Sequence, residues 1–137
     1  MGWAHFSHDA DMGVRGVGSS LEGAFEGAAL ALSALTTELA SVSSKETIEI
    51  RCEAPDEEML LFDWLNAIVY EMATRNMVFG AFRVTVVNGR LQATAWGEKR
   101  DRKRHTVGVE VKGATFTELR VAARDDGTWV AQCVVDV

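Results

Sequence analysis

Apolar and polar residues recur along this chain with two periods, one helical and one extended. Between residues 19 and 38 the apolar positions form one stripe at helical spacing, which predicts a helix, and its small residues predict close packing on a sheet. Ser19, with Glu22 three residues later, is expected to begin this helix as a capping box. A second helix is predicted from Pro55, in its first turn, to Arg75. It is too apolar for a surface helix and is expected to be the central one.

Extended segments lie before, between and after these helices. Residues 3–8 and 14–18 predict two short strands, and residues 46–53 alternate strictly between apolar and polar. From residue 78 onward the pattern is extended, with hairpin turns predicted at Asn88-Gly89 and Asp126-Gly127. The strands predicted there are residues 82–86, 91–95, 107–111, 116–122 and 129–136. Two helices and these strands predict an α+β fold, with the helices packed on a mostly antiparallel β-sheet in a single domain over residues 1–137.

Composition narrows the class of protein. The 137 residues are 47% hydrophobic and 25% charged, which is typical of a folded globular chain. The formal net charge of −6 argues against bulk nucleic-acid binding, because a duplex binder normally has a basic surface. The chain has no apolar run of about 18 residues, so we expect no membrane span and a cytoplasmic location. Cys52 and Cys133 are expected to be buried free thiols.

The most unusual chemistry is in the sequence His-Asp-Ala-Asp-Met-Gly at residues 8–13. The carboxylates of Asp9 and Asp11 would point to opposite faces of a strand, and Gly13 or Gly16 could supply a bend that brings them together. Asp136 is the other oddly placed acid, since it follows an apolar run next to the chain end. The central hypothesis is that Asp11 and Asp136 meet at a site for a hard cation.

Other functional interpretations of this acidic segment have weaker support. An EF-hand loop fails, because its fifth and twelfth positions would be Gly13 and Ser20. A metal-dependent phosphohydrolase that uses Asp9 and Asp11 stays as the alternative function, although the preceding strand is half polar. A hydrogen-bonding role for His8 is favoured over zinc ligation.

Two further features have open interpretations. Asp63 interrupts an apolar run in the second helix, where it either stabilises the helix or has a functional role. Residues 99–105 carry five cations, with Glu98 and Asp101 as the nearby acids. A solvated loop is the default interpretation, and a docking surface for an anionic protein or RNA is the alternative.

Five ordered segments resemble motifs of the archease family. Residues 8–13 resemble its opening His-Thr-Ala-Asp-Ile/Val-Gly, and residues 21–29 resemble its Leu-Glu-Glu-Leu-Phe-x-x-Ala-Ala helix. Residues 63–66 match Asp-Trp-Leu-Asn, and residues 110–115 are similar to Glu-Val-Lys-Ala-Val-Thr. The stretch from Trp129 to the end resembles the family's Trp…Asp-Val/Ile terminus.

The resemblance implies an accessory protein, not a stand-alone enzyme. Archeases assist the RNA ligase RtcB by promoting its GTP-dependent guanylylation and multiple turnover in tRNA splicing or RNA repair, and they meet RNA only through the ligase. Their metal, usually described as calcium, is implied here at Asp11, Asp136 and the terminal carboxylate of Val137. Asp9 replaces the usual threonine, and Phe116-Thr117 stands where many relatives have Tyr-His. Both departures bear on metal preference and partner choice.

Overall fold

The computed structural model describes residues 2–137. It contains two helices, α1 (Leu21–Thr36) and α2 (Glu57–Arg75), and a 3₁₀ turn at Leu39–Ser41. The strands are β1 (Gly2–His8), β2 (Asp11–Gly18), β3 (Glu46–Glu53), β4 (Met77–Val87), β5 (Arg90–Lys99), β6 (Gly113–Ala114), β7 (Arg120–Ala123) and β8 (Trp129–Asp136). The predicted α+β class is confirmed.

The strands form two antiparallel sheets. The larger sheet has the order β1-β2-β8-β6, with β7 also paired to β8, and the smaller has the order β3-β5-β4. Helix α1 packs against both sheets through β2, β8 and β4. One cluster of buried side chains fills the space between the helices and the sheets, and its largest members are Trp64, Phe25 and Phe79. No helix among residues 2–137 is both long and apolar enough to cross a membrane.

Helix α1 lies directly on the backbone of β2. A Cβ atom added to Gly16 would lie 2.0 Å from the carbonyl oxygen of Ala24 and 2.2 Å from the amide nitrogen of Ala28. Gly18 meets the same helix, since its Cβ would lie 2.5 Å from the amide nitrogen of Ala24. The absence of side chains on these two glycines therefore sets how closely the helix and the sheet approach.

The starts of both helices differ from the predictions. The Oγ of Ser20 accepts a hydrogen bond from the backbone N–H of Gly23 at 3.1 Å, so the capping box at Ser19 is wrong by one residue. In α2 the cap is Asp56, which accepts from a backbone N–H at 2.8 Å. Pro55 precedes that cap and is not in the first turn.

Between residues 107 and 122, fewer residues are in strands than the alternation of apolar and polar positions predicts. Residues 107–111 form no strand, because the N–H groups of Gly108 and Val109 donate to the carbonyls of Thr36 and Leu35 at the end of α1. Of the strand predicted over residues 116–122, only the part within β7 is present. The two-residue β6, which the sequence did not indicate, pairs with the C-terminal end of β8.

Helix side chains occupy the open edges of three strands. Glu26 of α1 accepts a hydrogen bond from a backbone N–H of β4 at 2.8 Å. Glu58 and Asn66 of α2 accept from backbone N–H groups of β7 and β6, each at 2.9 Å. These bonds satisfy donors that have no strand partner and attach the helices to the sheets.

Candidate metal centre

The two acids of the central hypothesis lie opposite each other on neighbouring strands. Strands β2 and β8 pair antiparallel with Met12 opposite Val135, and the same register sets Asp11 opposite Asp136 at the strand ends. His8 of β1 is opposite Asp11 on the other side. One row across the sheet therefore holds a histidine and two carboxylates.

The row faces away from the helices. Val14 belongs to the core, so Asp11, three residues before it on the strand, points to the opposite face. Directly opposite residues of an antiparallel pair share a face, which puts Asp136 on the same side. Asp136 is exposed, while Asp11 and the terminal Val137 are half-buried.

The glycine bend predicted to bring Asp9 to Asp11 is absent, and it is strand pairing that sets Asp11 opposite Asp136. Gly13 and Gly16 lie within the regular part of β2, and the chain turns at Asp9, which has a left-handed φ of 50°. The Asp9 side chain is 94% exposed, with its carboxylate 3.9 Å from Nδ1 of His8. Asp9 and Asp11 therefore lie in different local structures, the first in a turn and the second in a strand.

The oxygen ligands at this row supply only part of the coordination shell of a hard cation. Carboxylate oxygens, including that of a chain terminus, are the ligands that calcium and magnesium prefer. Among residues 2–137, no three His, Cys, Asp or Glu side chains are grouped as a metal site. Asp11 and Asp136 would therefore need further ligands, for which the carboxylate of Val137, water and a partner are the available sources.

The Asp-Trp-Leu-Asn segment in α2 has mainly structural contacts. Trp64 is fully buried, and its Nε1 donates to the carbonyl of Phe25 in α1 at 3.1 Å. Asn66 binds β6, the strand that pairs with the backbone of Asp136. Sequence reasoning missed this supporting role of Asn66, for which the motif itself was the available signal.

Asp63 acts on a neighbouring cysteine. Burial, followed by the negative charge of Asp63, raises the pKa of the Cys52 thiol to about 11. Both cysteines are free, and burial also raises the pKa of Cys133. Neither thiol is therefore an activated nucleophile at neutral pH.

A second polar cluster surrounds Glu98, which is 3% exposed at the end of β5. Arg104 donates to both of its carboxylate oxygens at 2.8 Å, the N–H of Ser43 donates at 2.7 Å, and Nε2 of His105 lies at 3.0 Å. Nδ1 of His105 accepts from the N–H of Asp101 at 2.8 Å, so its proton is on Nε2, which donates to Glu98. Interpreting the whole segment as a solvated loop is therefore wrong for Glu98 and His105, which are buried, whereas Arg104 is exposed and paired with Glu98.

The remaining cations of this segment limit the docking alternative. Arg104 is paired with Glu98, and Nζ of Lys99 donates to the carbonyl of Arg75. Arg102 and Lys103 are exposed. A docking surface for an anionic partner would depend on these two residues and on the half-buried Arg100.

Replacing Glu98 tests whether this cluster holds the loop. The hydrogen bonds from Arg104 and Ser43 hold the pKa of Glu98 well below its usual range. The pKa of a glutamate in the unfolded chain is about 4.3. Because the pKa of Glu98 is lower in the folded protein, its stabilisation is complete above about pH 4.3 and is lost as the pH falls further. We expect Glu98→Gln to lower the melting temperature at pH 7, with a difference from wild type that shrinks below about pH 4. The exposed Glu46→Gln is the control, and equal melting of both variants with wild type would contradict a structural role for Glu98.

Comparisons with known proteins agree with this architecture. The model of the Archease protein family matches residues 3–137. Protein archease of Pyrococcus furiosus is 37% identical over 139 residues, with 98% of each chain covered, and that of Thermococcus gammatolerans is 40% identical with the same coverage. The solution structure of Methanobacterium thermoautotrophicum protein 1598 superposes with a TM-score of 0.82 at 28% identity and covers 99% of both chains. A family match over nearly the full length, with relatives above 30% identity, shows that this chain belongs to the archease family.

Proposed function

We propose that this protein is a non-catalytic activator of the RNA ligase RtcB. It promotes GTP-dependent guanylylation and multiple turnover of the ligase in tRNA splicing or RNA repair, in the cytoplasm. A calcium ion held by Asp11, Asp136 and the terminal carboxylate of Val137 serves this activity. The observation that carries the proposal is the register between β2 and β8, which sets Asp11 opposite Asp136 in a chain of the archease family.

The position of the carboxylates suits an ion that is presented to a partner. They lie at an exposed strand end, not in an enclosed pocket, and Asp136 itself is exposed. Calcium takes 6–8 oxygen ligands, so three carboxylates leave coordination positions open. A bound calcium would supply positive charge that screens phosphate oxygens during guanylylation.

The backbone around the site is well fixed on one side. The N–H of Lys112 donates to the carbonyl of Asp136 at 2.8 Å, and Gly113 is its strand partner. On the other side of the site, β2 is paired with β1. The protein's part in activation is therefore to hold two strand-end carboxylates at a fixed separation, with the chemistry of nucleotide transfer left to the ligase.

The alternative, a metal-dependent phosphohydrolase using Asp9 and Asp11, has less support. Asp9 is in an exposed turn, so water is not excluded from a would-be nucleophile. The two functions differ in a direct assay. We expect no GTP hydrolysis or RNA ligation by the pure protein, and faster guanylylation when it is added to a cognate RtcB. Calcium-dependent GTP turnover by the pure protein would overturn the activator proposal.

The terminal carboxylate provides a separate test of the site. A C-terminal tag converts the carboxylate of Val137 into a neutral peptide carbonyl and places chain where a partner approaches. We expect the tagged protein to melt like wild type but to bind calcium more weakly and to activate the ligase poorly, whereas an N-terminal tag is tolerated. Equal calcium affinities of the two tagged proteins, measured by calorimetry at one pH and salt, would remove Val137 from the site.

A further inference from the structure

Arg15 is a fixed guanidinium on the same face of the large sheet as the carboxylate row. Its Nε donates to Oε1 of Gln132 at 3.0 Å, and its guanidinium carbon lies 4.7 Å from the ring centroid of Phe6. The side chain is half-buried, and no carboxylate among residues 2–137 is within ion-pair distance of it. A half-buried guanidinium without an ion-pair partner favours an anion.

Two neighbours hold this side chain in place. The ring of Phe6 lies flat over the backbone of Gly13, since a Cβ added there would fall 2.2–2.3 Å from three ring carbons. Nε2 of Gln132 is 3.3 Å from the carbonyl oxygen of Glu118 and 3.5 Å from its carboxylate, which turns Oε1 of the same amide toward Arg15. The side chain of Glu118 thus faces the amide of Gln132, and the guanidinium Nη groups stay available.

The position of Arg15 relative to the carboxylates indicates what kind of anion fits. Arg15 and Asp11 are four residues apart on one strand and share a face, so their Cα atoms are about 13 Å apart. The guanidinium contacts the ring over Gly13, which lies between them. A calcium ion at Asp11 and Asp136 would offer open coordination positions to one phosphate oxygen, and Arg15 would offer its guanidinium to a second anionic group. Such a surface suits a ligand with more than one anionic group.

We propose that Arg15 is a phosphate subsite of the nucleotide or RNA on which the ligase acts, next to the cation at Asp11 and Asp136. This inference rests on the cation site of the proposed function, because without a cation the two carboxylates repel a phosphate. Arg120, opposite Gln132 on β7, adds positive charge on the far side. Sodium tripolyphosphate, GTP and a short RNA ending in a 3′-phosphate carry the same phosphate chemistry and distinguish its source.

The test is calorimetry of the full chain with calcium present, using each of these three probes. We expect binding of at least one probe that weakens about tenfold in Arg15→Gln, the loss for one charge-assisted hydrogen bond. Arg15→Lys keeps the charge and the packed stem and should retain part of the affinity. Arg83→Gln, on the exposed face of the small sheet, is the matched control and should bind like wild type.

The outcomes separate this subsite from the activator function. Binding of tripolyphosphate and GTP assigns the phosphate to the nucleotide, and binding of the RNA alone assigns it to the RNA end. No binding of any probe, or equal binding by Arg15→Gln and wild type, overturns the subsite whatever the ligase assay shows. Phosphate binding that depends on Arg15 in a protein that fails to activate RtcB would support the subsite and reject the activator function.

Discussion

Asp11→Ala and Asp136→Ala are each expected to abolish calcium-dependent activation of the ligase while the apo protein stays folded. Each variant removes one of the side-chain carboxylates proposed to bind calcium. Like charges directly opposite on paired strands are destabilising, so we expect the apo variants to be unchanged or up to about 1 kcal/mol more stable. Calorimetric titration of calcium and thermal melting of the apo proteins measure the two effects separately.

The turn between β7 and β8 supplies the control for these two variants. Asp125 is exposed and lies in the turn between β7 and β8, at the opposite end of β8 from Asp136, so Asp125→Ala should bind calcium and activate the ligase like wild type. A large fall in melting temperature of the apo Asp11→Ala or Asp136→Ala protein would show that these residues are structural. Unchanged calcium affinity in both variants would place the ion elsewhere.

Gly16→Ala is expected to cause a large loss of stability. The new Cβ would lie 2.0 Å from a backbone oxygen of α1, and a helix backbone cannot move aside as a flexible side chain can. Overpacking a core costs about 1–3 kcal/mol when side chains adjust, and we expect at least the upper value here. Urea unfolding monitored by circular dichroism measures the change.

A second glycine of the same interface gives the opposite expectation. A Cβ on Gly23 would meet its nearest neighbours at 3.4 Å, which is ordinary contact. Gly23 lies in the first turn of α1, where alanine is the better helix former, so Gly23→Ala should stabilise by about 0.5–1 kcal/mol. A gain of stability in both variants would mean that chain entropy, not the close approach of helix and sheet, governs both positions.

Local patterns in the sequence predicted most of the fold because the helices and the hairpins have strong local signals. The α1 cap was misplaced because Ser19 and Ser20 are both good cap residues, and only the structure shows which oxygen accepts. Residues 107–111 were misassigned as a strand because they alternate between apolar and polar as a strand does. In the structure, N–H groups of this segment cap the end of α1 instead. The choice between a strand partner and a helix end depends on tertiary packing, which a local pattern does not contain.

The candidate site was less accessible to sequence reasoning. Asp11 and Asp136 are placed together by the register between two strands at opposite ends of the chain. The isolated position of Asp136 and the family resemblance suggested this pairing, whereas the glycine bend predicted to join Asp9 and Asp11 is absent. Glu98 was misassigned to a solvated loop because one of its partners, Ser43, is 55 residues away in the sequence. The burial of such a group depends on those partners.

The side chains of Glu26, Glu58 and Asn66 on the strand edges also bear on how this protein meets other copies of itself. An open strand edge offers a row of main-chain groups to any neighbouring strand, which is the common route to domain swapping and fibril formation. Three such edges are occupied here by helix side chains. Sheet extension from one molecule into the next is therefore blocked at these positions, and recognition of another molecule there must use side chains in place of backbone pairing.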